Sequence, residues 1–189
     1  YQKVLLKKVK PKLVLINGDL KHEFGRVLNQ EWKDVLSLFD FLLNQKNNLK
    51  IIIIKGNHDP IIAPIAEKRG IKIVKDYLVH NPRCGDLLIA HGDELVETDA
   101  PRIIIGHEHP AITVREGSKR EKYKCFLKGN WCGKELLVMP SFNPLLEGTD
   151  VLKEKSLSPF LRDIQNFSVF ITSKGEVFDF GKVRDVNIN

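Results

Sequence analysis

The run Lys50-Ile51-Ile52-Ile53-Ile54-Lys55-Gly56-Asn57-His58-Asp59 decides the fold. Four consecutive isoleucines leave no polar face. This strand must therefore be covered on both sides, the pattern of a parallel sheet between layers. The apolar run then breaks into glycine and three polar residues able to bind a metal or move a proton. The same succession recurs three times. Leu13–Asn17 runs into Gly18-Asp19, Leu87–Ala90 into His91-Gly92-Asp93, and Ile103–Ile105 into Gly106-His107-Glu108-His109. In open α/β sheets, sites form outside the carboxyl ends of the strands. Four such strands are expected to deliver Asp19, Asn57, His58, His91, His107 and His109 to one rim. Taken singly, Gly-Asp or Gly-Asn-His-Asp is ordinary turn chemistry, and a lone histidine is usually a structural one. Four clusters at four strand ends are more than turn chemistry supplies.

Outward from these strands, residues 1–10 read as the end of a helix stopped by Pro11, because the residue before proline leaves the α region. Leu28, Trp32, Val35, Leu36, Phe39, Leu42 and Leu43 recur at helical spacing. Ile61–Arg69 reads as a short helix ended by Gly70, with Pro64 tolerable in its first turn. Strands are expected at 71–74, 77–80, 111–115, 122–127, 135–139, 167–172 and 176–180. Ser173-Lys174-Gly175 closes the last two as a hairpin. Ser158-Pro159 is expected to start a brief helix, with serine as cap and proline at the first position. No repeat or linker interrupts the chain, so residues 1–189 are expected to form a single domain.

Composition narrows the class. Of 189 residues, 42% are hydrophobic and 29% charged, and no aliphatic run approaches the ~20 residues of a membrane span. Collagenous, disordered and transmembrane readings are excluded, and no membrane partner is expected. The net charge of +6 is uneven. Five lysines and no acid lie in residues 1–18, and Arg115, Lys119, Arg120, Lys122, Lys124 and Lys128 crowd a second stretch. Such patches favour anionic partners, phosphate esters or nucleic acid, although a solvated lysine-rich face is the more ordinary reading and the patches alone decide nothing. Three thinly spread cysteines, Cys84, Cys125 and Cys132, permit no zinc framework. Cys125, in Lys-Cys-Phe-Leu, reads as a buried strand residue. A reducing, cytoplasmic location fits best, and no leader-like apolar stretch follows Tyr1. Oligomeric state is not written in the sequence.

The rim residues are carboxylate, carboxamide and imidazole, with no thiolate. That set suits Mn²⁺, Fe²⁺, Zn²⁺ or Ni²⁺ and argues against copper or iron–sulfur chemistry. A carboxylate can bridge two ions ~3.5–4 Å apart, the arrangement that two-metal hydrolases use on phosphate esters. His58, following Asn57, is then free to protonate a leaving oxygen, with Asp59 orienting it. Lys21 and His22 are weaker candidates for meeting a substrate phosphate. Asn143 is another, with a turn role beside Pro144 as its alternative.

The series Gly18-Asp19, Gly56-Asn57-His58-Asp59, His91 and Gly106-His107-Glu108-His109 resembles the calcineurin-like metallophosphoesterase superfamily in order and spacing. The extended stretches GDLKHEFG (18–25), GHEHPAI (106–112) and PSFNPL (140–145) resemble one branch of it. That branch holds archaeal predicted phosphoesterases and bacterial metallophosphoesterases associated with DNA ligase. The resemblance covers about residues 1–147. It implies an α/β fold of two packed mixed β-sheets flanked by helices, an αββα sandwich, and hydrolysis of phosphoester bonds with two divalent ions, Mn²⁺ foremost. It further implies Asp19 as the bridging ligand, Asn57, His91 and His107 on the second metal, His109 on the first, and His58 as the acid. The family opens with a strand ending in Asp-x-His, which supplies the first metal's other ligands, and no Asp-x-His occurs in these 189 residues. The expectation is that this strand lies upstream of Tyr1. The alternative is a degenerate binding scaffold, and a DNA nuclease is the other reading among enzymes.

Overall fold

The computed structural model describes residues 2–20, 29–45, 49–59, 62–173 and 175–186. They are α/β in character, with two sheets and few helices, distributed over two compact units, residues 1–75 and 76–189.

The first unit holds three parallel strands in the order β1 (Leu13–Asn17), β2 (Lys50–Ile54), β3 (Lys72–Val74). β2 is central, and Ile51 to Ile54 are at most 5% exposed, so both of its faces are covered as the sequence requires. Helices α1 (Gln2–Val9), α2 (Asn29–Leu43) and α3 (Ala63–Lys68) accompany the sheet. α2 buries Val35, Phe39 and Leu42 from its apolar stripe, and they join Leu49, Ile51, Ile53 and Ile65 in one core. α1 stops where expected. Lys10 turns into the left-handed region at φ 46° while its amide still bonds to Leu6 O, and Pro11 follows. α3 carries proline in its first turn and ends before Gly70.

The second unit is built on a nine-stranded mixed sheet. Its path runs β10 (Thr149–Asp150), β7 (Pro110–Glu116), β8 (Lys119–Trp131), β9 (Lys134–Val138), β6 (Arg102–Ile105), β5 (Leu87–Ala90), β4 (Asp76–Val79). β11 (Ser168–Ser173) joins β8, and β12 (Glu176–Lys182) joins β11 antiparallel across Ser173 and Glu176. β5, β6 and β9 run parallel, whereas β7–β8 and β8–β9 are antiparallel hairpins. Ile103, Ile105, Ile112, Cys125, Leu127, Leu136, Val138 and Val169, none more than 1% exposed, form the centre of its core.

Two features depart from expectation. β8 begins at Lys119, three residues before the expected strand, and its first five residues are all exposed. That end is a hairpin arm held by the β7 ladder from Ala111–Lys124 to Glu116–Lys119, so it needs no apolar face. The expected helix at Ser158 does not form. Ser158 Oγ does accept the Phe160 amide, as a cap would, and Leu161 N bonds to Ser158 O. The chain then leaves the helical path as Phe160, Leu161 and Ile164 enter the core.

Candidate metal centre

In the first unit, strand register assembles the first cluster. Asn17 lies opposite Ile54 in parallel pairing, so two residues further on Asp19 comes level with Gly56. Gly18 at φ 73° and Asp19 at φ 51° turn the chain sharply there. Asp is among the few side chains that tolerate this region. His58 N donates to Asp19 Oδ1 at 3.2 Å. Gly56 is buried so tightly that a Cβ would fall on the Asp19 carboxylate and 2.6 Å from its backbone nitrogen.

Asp59 is 1% exposed and fastens the same two loops. Its Oδ1 accepts the Leu20 amide at 3.0 Å and its Oδ2 the Gly56 amide at 3.2 Å. Burial raises its pKa, the Asp19 charge adds to the rise, and the backbone amides oppose both. Asp59 thus grips the turn that carries Asn57 and His58. Asn57 is exposed and His58 is half-buried. Lys21 and His22 lie outside the described residues.

In the second unit the logic repeats. Ile89 pairs with Ile104 in parallel, which brings His91 level with Gly106. The His91 carbonyl accepts both the Gly106 and the His107 amides at 2.9 Å. His107 Nδ1 lies 3.2 Å from His91 Nε2, with ring centroids 5.0 Å apart and planes at 71°. His91 is 2% exposed and His107 is half-buried. An ion bound to imidazole nitrogen at about 2.0–2.1 Å puts neighbouring donors roughly 3.0–3.4 Å apart. The histidine pair has the chemistry and separation of two ligands to one ion.

His109 sits two residues on, at φ 50°. Its carbonyl receives the Thr149 amide at 3.0 Å, and a Cβ on Gly148 would collide with that carbonyl. Among the described residues, four non-glycine residues have positive φ, and Asp19 and His109 are two of them. Such conformations cost on the order of 1–3 kcal/mol each and collect at functional sites.

Asn143 takes the turn role: its Oδ1 accepts the Leu145 amide at 3.0 Å. The loop it belongs to is held by Lys124, whose ammonium donates to the Ser141 carbonyl at 3.1 Å and to the Asn143 carbonyl. His80 pairs with Asp86 on the surface.

Sequence reasoning missed Glu108 and Ser158. Glu108 is 0% exposed between two histidines. Burial raises its pKa, against the donation of the Ser158 and Leu157 amides. The only sequence signal was a carboxylate inside Gly-His-Glu-His, which its spacing assigns to solvent as readily as to the core.

Comparison with known proteins bears on both clusters. The family model described as calcineurin-like phosphoesterase matches residues 1–129. Among solved structures, the Pseudomonas putida nuclease MPE is similar at a TM-score of 0.62 and 18% identity, over 94% of this chain and 76% of that one. A Vps29 double mutant from Entamoeba histolytica follows at a TM-score of 0.36 and 14% identity, over 95% and 89% of the two chains, too loose a likeness to define a shared fold. A search of curated protein sequences gives no significant match.

Proposed function

The chain belongs to the calcineurin-like phosphoesterase family, and from that premise we propose that it hydrolyses phosphodiester bonds with Mn²⁺ as the preferred ion. The observation that carries the reading is the His91–His107 pair, two imidazole nitrogens 3.2 Å apart at the ends of adjacent parallel strands. Each unit brings donors that suit a divalent first-row ion: the Asp19 carboxylate and the Asn57 carboxamide oxygen in the first, the imidazoles of His91, His107 and His109 in the second. Fe²⁺, Zn²⁺ and Ni²⁺ suit the same donors. When bound, such an ion supplies Lewis acidity toward phosphoryl oxygens and an activated water.

The remaining work falls to the protein. His58, on the turn next to Asp19, donates a proton to the leaving oxygen. Asp59 orients His58 through the backbone, by gripping the Gly56 and Leu20 amides. Gly56 lets the turn pack against Asp19 without a Cβ between them.

DNA is the second substrate reading, and the β7–β8 face bears on it. Register puts Arg115 across from Arg120, Thr113 across from Lys122, and Ala111 across from Lys124 on one face. Lys122 donates to the Gly148 carbonyl and lies 3.7 Å from Glu154, while Lys124 holds the Ser141 and Asn143 carbonyls. Two of the four cations are therefore engaged within the protein. The likeness to a nuclease keeps nucleic acid in view; the partial neutralisation favours a smaller phosphodiester. Among the described residues, no helix is long and apolar enough to cross a membrane.

The test is hydrolysis of an activated aryl phosphodiester by the protein with added Mn²⁺. Activity should disappear with chelator and in His107→Ala, and persist in His80→Ala. Metal binding without hydrolysis of any phosphoester would instead make the chain a binding scaffold.

A further inference from the structure

We propose that Glu108 and Ser158 are positioning residues, and that segment 157–164 is a strap fixing the His91 loop against the His107–His109 loop. The inference rests on the reading of these histidines as metal ligands.

Two loops must hold their imidazoles at ligand spacing, and loops alone do this poorly. The His91 loop has one unusual freedom, Gly92 at φ 104°, where a Cβ would lie 2.8 Å from Ile105 Cβ. The turn after β5 is therefore packed closely on the end of β6, and its Gly92 carbonyl is held from outside the turn. Ser158 holds it: its Oγ donates to Gly92 O at 2.6 Å. The same residue's amide donates to Glu108 Oε2 at 3.0 Å, and the Leu157 amide donates to that oxygen at 2.8 Å. One serine thus touches both loops, through its side chain to one and its backbone to the other.

The strap has an anchor of its own. Phe160 and Leu161, 2% and 3% exposed, enter the second unit's core, and Ile164 follows. The Phe160 ring packs against Trp131 with centroids 4.7 Å apart. Pulling Ser158 away from Gly92 and Glu108 would drag these side chains with it. Glu108 Oε1, fully buried, has no hydrogen-bond partner among the described residues. A lone buried carboxylate is costly to keep, and this one lies between two histidines where an apolar residue would pack more simply. Its two accepted amides explain its presence: no aliphatic side chain could receive them. Groups that orient metal-binding histidines without touching the metal typically change affinity 10–100-fold when removed.

The experiment is Mn²⁺ titration calorimetry of the whole chain with four variants. Ser158→Ala and Glu108→Ala should each weaken Mn²⁺ binding about 10–100-fold. Glu108→Gln, whose amide oxygen can still receive both backbone amides, should stay within about threefold of the parent. Val169→Ala empties part of the same core but removes none of the strap's hydrogen bonds; it should lower the thermal midpoint and leave affinity unchanged. Affinity intact in Ser158→Ala, or lost equally in Val169→Ala, would overturn the proposal. Equal loss in Glu108→Gln and Glu108→Ala would also overturn it, since charge and not hydrogen bonding would then be the cause.

A metal-free readout separates this inference from the reading beneath it. The Gly106 and His107 amides, both bonded to His91 O, should exchange with solvent faster in Ser158→Ala. If the parent binds no Mn²⁺, the metal reading fails, and unchanged exchange at these amides then removes the strap as well.

Discussion

Gly56→Ala probes the first cluster directly. At this position φ is ordinary, so alanine brings no backbone strain; its entire effect is the methyl group. That methyl would overlap the Asp19 carboxylate and lie 2.6 Å from Asp19 N and 3.1 Å from Asp19 Cγ. A carboxylate can swing aside, but a backbone nitrogen cannot, so the Gly18-Asp19 turn must move as a whole. Forcing a methyl into so tight a site costs about 1–3 kcal/mol. For a protein of 189 residues that corresponds to a loss of about 2–12 °C in thermal midpoint. Because Asp19 is displaced, Mn²⁺ affinity should fall at least about tenfold. Gly133→Ala is the control: nothing lies within 4 Å of the added methyl there, and only its φ of 81° is unfavourable. Thermal melts and Mn²⁺ titrations on the two variants decide the matter. If Gly56→Ala melts and binds like the parent, the close approach of Gly56 to Asp19 does not exist in solution.

His58→Ala should lower kcat about 10²–10⁴-fold on a poor leaving group and much less on an activated aryl one, with metal content unchanged; a parallel fall in metal content would make His58 a ligand. Saturating Mn²⁺ at a hundred times its Kd should stabilise the chain by about 2.7 kcal/mol, a rise of roughly 5–11 °C in midpoint read by differential scanning calorimetry, and His107→Ala should abolish that rise. Cys84 and Cys132 are exposed whereas Cys125 is 0% exposed. Burial, aided by the Asp150 charge, pushes the Cys125 thiol up to about 12, so a thiol reagent at pH 8 should count two groups in the native protein and three in denaturant.

What was legible in the sequence was whatever a strand must do to be buried. Ile51–Ile54 admits one environment, and parallel pairing carries the residues just beyond each strand end to matching levels. Asp19 thereby met Gly56, and His91 met Gly106, from register alone. The illegible parts rest on partners distant in sequence. Ser158 looks like a helix cap because it is a serine followed by Pro159; its hydroxyl also donates to Gly92, sixty-six residues away. Glu108 reads as a turn carboxylate until Leu157 and Ser158 supply the amides that justify burying it. The exposed start of β8 carries Lys119, Arg120, Glu121 and Lys122 in succession, a stretch with no alternation to read, and only the facing β7 strand makes it extended.

β8 has a consequence for the order in which the second unit comes together. One strand pairs with β7, β9 and β11. The first two are its immediate neighbours in the chain, joined by tight turns, and hairpins of that kind close in about 1–10 μs. β11 returns from far along the sequence to set Val169 against Leu127 and Ile171 against Cys125, and such a closure costs chain entropy before any contact repays it. By that reasoning the meander should form first and β11 dock later. Phe160, Leu161 and Ile164 lie between them in the chain and share the core with Val169 and Ile171 of β11, so they should be confined once β11 has docked. The proposed strap across the two histidine loops should therefore be among the last pieces to set, so that metal binding, if it needs the strap, should appear at the end of folding and not at its beginning.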